Sequence, residues 1–418
     1  MFRSKNFFSY LFLISFTSIC LYLSFPEIIY SYFVPEVQVD DENILFLDWK
    51  NLITALECQA MGVDVYNANP CDPISRVYAY GRILLFIPYI AEYKNFYNSY
   101  FPLFVNFVFV CVTAVHFKTR SVAQMLLYFL VIFNPSTLLL MERLNFDIFI
   151  FLFIFLLCYF RSNLLNFFVI LFLTLAKFYP ISLLSLFFFD HNKKSSRIFI
   201  PLALVLVFLV IVIFFVFIDK ERYLALFSIT NQFSAHPQYS FYFLSFLKLK
   251  LVQDYFFYFF FNYLNIPAPH TNLILFVFLA FLLSIFLFFL LKVNKIKNLK
   301  IFNINSYESR LFFVGGGVLV LVYFAFNNIF YREVFLICLI PYLIEQSHAN
   351  KFFKFLIYYL FFHYIFFIIS YYYSAYQYIY GLFAIKQLLD AIFYLCITAI
   401  LCVVYFRFVK KLFLKNSA

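Results

Sequence analysis

Residues 121–160 read SVAQMLLYFLVIFNPSTLLLMERLNFDIFIFLFIFLLCYF, two apolar runs split by the cluster Met141-Glu142-Arg143-Leu144-Asn145-Phe146-Asp147. Each arm is long enough to enter a lipid bilayer, whereas the charged cluster has to sit at its watery mouth. The pattern recurs around Lys177-Phe178-Tyr179-Pro180 and Asn327-Asn328-Ile329-Phe330-Tyr331-Arg332-Glu333. The chain as a whole is 65% hydrophobic and 12% charged over 418 residues, too little polar surface for a soluble domain of that length. The expected fold is therefore all-α and polytopic, one integral membrane domain over residues 1–418 with about 10–13 crossings, some short or re-entrant.

The expected spans are 7–25, 100–117, 121–140, 146–160, 164–176, 179–189, 198–218, 271–291, 311–329, 333–345, 352–371 and 387–407. The first follows Arg3 and Lys5 and lacks a small-residue cleavage site, so it reads as a retained signal anchor with a cytoplasmic N-terminus. The stretch 163–189 has basic residues at both flanks. Splitting it at Lys177 to Pro180, where proline disfavours helix at Tyr179, reconciles the topology as two short helices or as a re-entrant hairpin. Alternation then puts 19 of the 31 Lys and Arg inside, with only 3 of the 20 acids. That basic excess is the positive-inside pattern, so the net charge of +11 reads as a topology determinant and not as a nucleic-acid footprint.

Two outside segments are large, 26–99 and 219–270. The second contains amphipathic aromatic pieces, Tyr239 to Phe246 and Tyr255 to Tyr263, that read as interfacial helices. In the first, Asp48 opens an amphipathic stretch through Leu52, Ala55 and Leu56, where it reads as a helix N-cap or as a reactive carboxylate. Asp64 and Asp72 sit among turn residues, and Asp40-Asp41-Glu42 reads as a solvated acidic run, with a divalent cation as the other reading. Cys58 and Cys71 share this loop, and an oxidising compartment would join them in a disulfide; the other six cysteines lie in apolar runs. No CxxC, HExxH or Ser-His-Asp spacing occurs, and the six histidines are scattered, so no metal site is assigned. Gly315-Gly316-Gly317, inside an apolar run, reads as close helix packing.

Each charged cluster has a plain structural reading: Glu142, Arg143 and Asp147 as ion pairs at a turn, Lys177 as a snorkelling side chain, Arg332-Glu333 as an anchoring pair. Together they bring three cations to the mouth that carries the acidic loop. An anionic lipid headgroup fits that arrangement, with a carboxylate beside it to activate an acceptor hydroxyl.

At these residues the chain resembles the polyprenol-dependent GT-C class of membrane glycosyltransferases, most closely glycosyltransferase family 87. The resemblance runs over about residues 40 to 345. It comprises Asp48 and the Gly62-x-Asp64-x-Tyr66 element, Asn69-Pro70-Cys71-Asp72-Pro73 with Arg76, the Glu142-to-Asp147 hinge, Lys177-Phe178-Tyr179-Pro180, and Tyr331-Arg332 leading to Ile340-Pro341-Tyr342-Leu343. It implies transfer of a sugar from a polyprenyl-phosphate donor to a glycan or glycolipid acceptor at the outer face. That face could be periplasm, cell exterior or an organelle lumen; the lack of a eukaryotic signature favours a bacterial inner membrane. The donor is then a substrate and a partner along with membrane lipid; no cofactor is assigned. Inverting members of the class use a loop carboxylate as base, at the position of Asp48. Lys177, Arg143 and Arg332 are then the phosphate ligands, and Glu142, Asn145, Asp147, Asp64, Tyr66, Tyr179 and Glu333 bind or orient sugar and acceptor. Leu144 stands where the family's hinge commonly has Gly, and Gly81-Arg82 follows Tyr80 where Tyr-Pro is common, so hinge geometry and loop docking are the places to expect departure. A lipid-linked saccharide transporter or flippase, a saccharide polymerase or ligase, and a structural membrane protein without catalytic activity are the competing readings. A flippase would want polar groups near the bilayer midplane and related halves, and the charges here gather at one mouth instead.

Overall fold

The structure is a computed structural model that describes residues 45–88, 90–117, 121–160, 162–189, 199–218, 220–221, 271–296, 306–325, 330–374 and 380–414, together with residue 16. The anchor span (Phe16 apart), the acidic run at 40–42 and the interfacial pieces within 222–270 lie outside these residues. Among the described residues the fold is helical throughout, without a strand.

A loop helix, α1 (Leu47–Ala60), precedes the bundle. Then come α2 (Phe101–Phe117), α3 (Val122–Ile132), α4 (Pro135–Arg143), α5 (Asp147–Tyr159) and α6 (Asn163–Ala176). A 3₁₀ stretch, Tyr179–Ser185, is followed by α7 (Phe199–Ile218), α8 (Thr271–Asn294) and α9 (Tyr307–Ala325). A second 3₁₀ stretch, Phe330–Cys338, leads into α10 (Ile340–Ser347), α11 (Lys351–Ser374) and α12 (Tyr380–Leu414).

Among the described residues, four helical segments are long and apolar enough to cross a membrane: Phe96–Phe117, Tyr307–Phe324, Lys351–Ile369 and Lys386–Arg407. The pair α3 and α4 makes a fifth if taken as one broken span. Residues 121–140 are thus not the single straight helix expected: the chain bends by 48° where Asn134 caps Ser136 N–H and Pro135 opens α4. Shorter apolar helices fill the rest, and several point bare hydrocarbon outward, as at Leu206, Val210, Ile213 and Phe217 of α7. An apolar face of that extent suits lipid. The chain is an integral membrane protein by these features.

The break expected at Lys177 is present. α6 ends at Ala176, Lys177 is extended, and Pro180 sits at the start of the 3₁₀ stretch. The expected spans 179–189 and 333–345 therefore differ from crossing helices: each is a 3₁₀ stretch followed by a short α-helix. Both stretches pack on α9. The glycine triplet makes that approach possible, because a Cβ at Gly315 would lie 2.2 Å from Cys338 Cβ, while Gly316 faces Leu401 of α12 and Gly317 faces Ser182. In lipid, where burial against hydrocarbon gives little drive between helices, such small-residue contacts supply the dispersion energy that holds a bundle together.

Candidate functional site

Three elements meet at one mouth because the chain turns there: α4 ends at Arg143, α5 begins at Asp147, and α6 ends just before Lys177. The first loop is clamped over them. Phe46 N–H donates to Glu142 O at 2.7 Å, and Trp49 Nε1 donates to Tyr97 O at 2.8 Å while its ring stacks on Phe101. Gly81 closes the other side. Its N–H donates to Ala176 O at 3.0 Å, and a Cβ there would fall 1.7 Å from Leu175 O. The loop thus docks on the last turn before Lys177 through a glycine, at the place where the sequence departs from Tyr-Pro.

The second departure has a counterpart in the hinge. Leu144 adopts a left-handed backbone, φ 44° and ψ 51°, the conformation that glycine favours. Phe46 is left-handed too, at φ 60°, so two bulky residues hold unfavourable backbone angles where loop and hinge meet. Strain of this kind persists only where surrounding contacts over-determine it, and it gathers at functional sites.

Asp48 lies in the first turn of α1 but does not cap it; Phe46 occupies the cap position. Its carboxylate instead meets Arg76 Nη1 at 3.0 Å and Arg143 Nη1 at 3.5 Å, and accepts from Asn145 Nδ2 at 2.7 Å. Arg76 is held in turn by Asp72 at 3.1 Å and by Leu47 O. Burial pushes the Asp48 carboxyl up, but Arg143, Arg76 and the Asn145 amide outweigh it and leave it below the ordinary aspartate value. The same pairing with Asp48 and Asp72 outweighs burial at Arg76 and raises it.

Asn145 joins this group to a second one. Its Oδ1 accepts from Lys177 Nζ at 2.7 Å and from Asp147 N–H at 3.1 Å. Asp147, whose side chain is wholly buried, then gathers Lys177 and the Tyr179 hydroxyl on Oδ1 and Arg332 Nε on Oδ2, the last at 2.9 Å. Lys177 lies over the Tyr80 ring at 5.2 Å and Arg332 over the Tyr179 ring at 5.0 Å. The ion pairs named here link Arg76, Arg143, Lys177 and Arg332 with Asp48, Asp72 and Asp147. A connected, partly exposed set of guanidinium and ammonium groups offers charge-assisted donors to an anion.

Of the residues singled out in the sequence, Asp48, Arg143, Asn145, Asp147, Lys177, Tyr179 and Arg332 come together. Others do different work. Glu142 is buried and receives the loop through its backbone carbonyl. Asp64 ties a turn by accepting from Asn67 Nδ2 at 2.8 Å, and Tyr66 donates its hydroxyl to Tyr80 O at 3.0 Å, both within the loop. Cys58 and Cys71 are joined as a disulfide that closes this loop beside Asp72. Glu333 turns away from Arg332 into the bundle, where it meets Lys386 and His363. Arg76 and Asp72, quoted in the sequence as part of the family resemblance without a site role, and Tyr80 also belong to this network. A cavity lined by Ser121, Gln124, His348, Lys351 and Lys354 opens where α3 starts and α10 ends and shares no lining residue with this network.

Compared with known proteins, this chain matches no family model, no curated protein and no solved structure.

Proposed function

We propose that this protein is a GT-C-like glycosyltransferase that moves a sugar from a polyprenyl-phosphate donor to a hydroxyl acceptor at the extracytoplasmic mouth of its bundle. The observation that carries the reading is the continuous path from Asp48 through Asn145 to Lys177, Asp147 and Arg332, which sets one loop carboxylate beside a row of cations at the membrane edge. A phosphate on a lipid tail matches cations at that depth, since the tail can lie along the apolar bundle while the headgroup stays at the mouth. The Cys58–Cys71 disulfide supports an oxidising compartment for the loop, and the basic flanks of the spans support cytoplasmic termini in a bacterial inner membrane.

In the proposed reaction the acceptor oxygen attacks the anomeric carbon as its proton passes to the Asp48 carboxylate. The bond from that carbon to the phosphate oxygen breaks, and polyprenyl phosphate leaves with the electron pair. Arg143, Lys177 and Arg332 stabilise the charge that develops on it; one well-placed donor of this kind contributes about 3 kcal/mol. At rest Asp48 is a weak base, because Arg76 and Arg143 hold its charge. A donor phosphate that draws Arg143 to itself would loosen that hold and make Asp48 more basic only when the donor is in place.

The test uses the full chain in lipid nanodiscs with a panel of polyprenyl-phosphate sugars, comparing wild type with Asp48→Asn. Consumption of one donor, lost in the variant while donor binding remains, is the expected result. Consumption unchanged by the substitution would remove Asp48 as the base. Donor binding without consumption by wild type would replace this reading with a flippase.

A further inference from the structure

Four ionisable side chains meet inside the bundle, away from the mouth and unused by the proposed chemistry. Glu333, His363, Lys386 and Asp390 are all buried. Lys386 Nζ bridges the two carboxylates, 2.6 Å from Glu333 Oε1 and 2.7 Å from Asp390 Oδ2, and lies 4.0 Å from the centre of the Phe367 ring. The His363 ring lies between the remaining oxygens, with Nδ1 3.0 Å from Asp390 Oδ1 and Nε2 3.4 Å from Glu333 Oε2. Among the described residues, the titratable groups that face this cluster from the packed helices are phenols: Tyr323 of α9, Tyr359 and Tyr364 of α11, and Tyr394 of α12.

The charge count asks for one more proton. Two carboxylates against one ammonium leave a net negative charge in an interior that cannot solvate it. The tyrosines, as neutral phenols, do not compensate it. Proximity places it: the two His363 ring nitrogens lie 3.0 and 3.4 Å from carboxylate oxygens, without the alignment of hydrogen bonds. Charge attraction from both sides favours an imidazolium there, whereas a neutral ring would set a lone pair beside one carboxylate. A single divalent ion fits worse. It can bind only one of the two ring nitrogens, Lys386 already occupies the other carboxylate oxygens, and its charge would overshoot to net positive.

We infer that His363 is held as an imidazolium between Glu333 and Asp390, completing a neutral cluster with Lys386, and that this proton fixes the short helix that presents Arg332. Glu333 follows Arg332 directly on the 3₁₀ stretch Phe330–Cys338; Arg332 reaches out to Asp147 and Glu333 reaches in to the cluster. Nine residues of 3₁₀ helix are long for a geometry with poor hydrogen bonds, so side-chain anchors at both faces bear much of its hold. The use of Arg332 as a phosphate ligand rests on the proposed function; the proton on His363 does not.

The test is solid-state NMR of the full chain in nanodiscs with ¹⁵N-labelled histidine, the signal of residue 363 being identified by its loss in His363→Gln. Where that variant does not fold, the same signal is identified by replacing the other five histidines. At neutral pH two N–H-type ring nitrogens are expected. A nitrogen bearing a lone pair at that residue would overturn the inference, as would a shift of the signal on adding Zn²⁺ or Mn²⁺. Amide exchange across residues 330–338, corrected for the intrinsic rate, should quicken at least about tenfold as that signal converts to neutral at higher pH. His363→Gln should exchange at the fast rate throughout. Exchange indifferent to the conversion would sink the link to Arg332. Neither readout uses a sugar donor, so failure here and failure of the proposed function are distinguishable.

Discussion

Asn145 Nδ2 lies 2.7 Å from Asp48 Oδ2 across a sequence separation of 97 residues, and the oxygen of the same amide accepts from Lys177. One side chain therefore faces a carboxylate with a donor and a cation with an acceptor, a division that the amide's separate nitrogen and oxygen provide. Asn145→Asp removes the donor and sets a third carboxylate between Asp48 and Asp147. Turnover of a polyprenyl-phosphate sugar should fall about 10²-fold, the cost typical of one misplaced polar group in a reaction centre. Donor binding, measured separately, should weaken as well, because the added carboxylate repels the donor phosphate. Near-wild-type turnover would take Asn145 out of the site.

The pH dependence follows from the cations around Asp48. Its carboxyl lies below the ordinary value of 3.8, so the group stays ionised above that pH and its ion pairs hold the loop there. Both the stabilisation and the base function are lost as pH falls through the depressed folded value. Arg143→Gln removes a cause of the depression and should move the acid limb of kcat/KM upward in pH. An acid limb that stays in place in the variant would show that Asp48 does not set it.

The mouth was legible from sequence because a charge in an apolar chain is costly and so stands out. Glu142, Arg143, Asp147, Lys177 and Arg332 interrupt hydrophobic runs, and alternation put them on one face once 163–189 was split at Lys177 to Pro180. The buried cluster was hidden for the opposite reason: Lys386 and Asp390 lie near the end of a run and look like anchors, while His363 looks like an isolated polar residue. Their signal was the i,i+4 spacing of Lys386 and Asp390, which sets both on one helix face. The bend at Asn134-Pro135 carried a cap-and-proline signature, obscured by unbroken apolar sequence on both sides. The 3₁₀ stretches were not legible, since segments this short do not separate a period of 3.0 from one of 3.6.

Gly81→Ala tests how the loop is seated. The new methyl carbon would lie 1.7 Å from Leu175 O, which belongs to backbone and cannot rotate away. The loop has to lift off the end of α6, breaking the bond from Gly81 N–H to Ala176 O and moving Tyr80 from Lys177. Overpacking of this kind costs about 1–3 kcal/mol. A lower unfolding midpoint together with lost turnover is expected, and an unchanged pair of values would show that the loop docks differently.

Leu144 allows a sharper check, because its backbone and its side chain pull in opposite directions. The side chain is fully buried, so truncating it to alanine should cost about 2–5 kcal/mol while leaving the left-handed strain in place. Leu144→Gly loses the same side chain but relieves strain of about 1–2 kcal/mol. Glycine should therefore be less destabilising than alanine, the reverse of their order in a helix interior, where glycine is about 1 kcal/mol worse. Unfolding of both variants in detergent against a denaturant series decides it. If alanine proves the milder change, the hinge relaxes out of the left-handed conformation, and the geometry that brings Arg143 and Asn145 to Asp48 is held by the loop instead of by the turn.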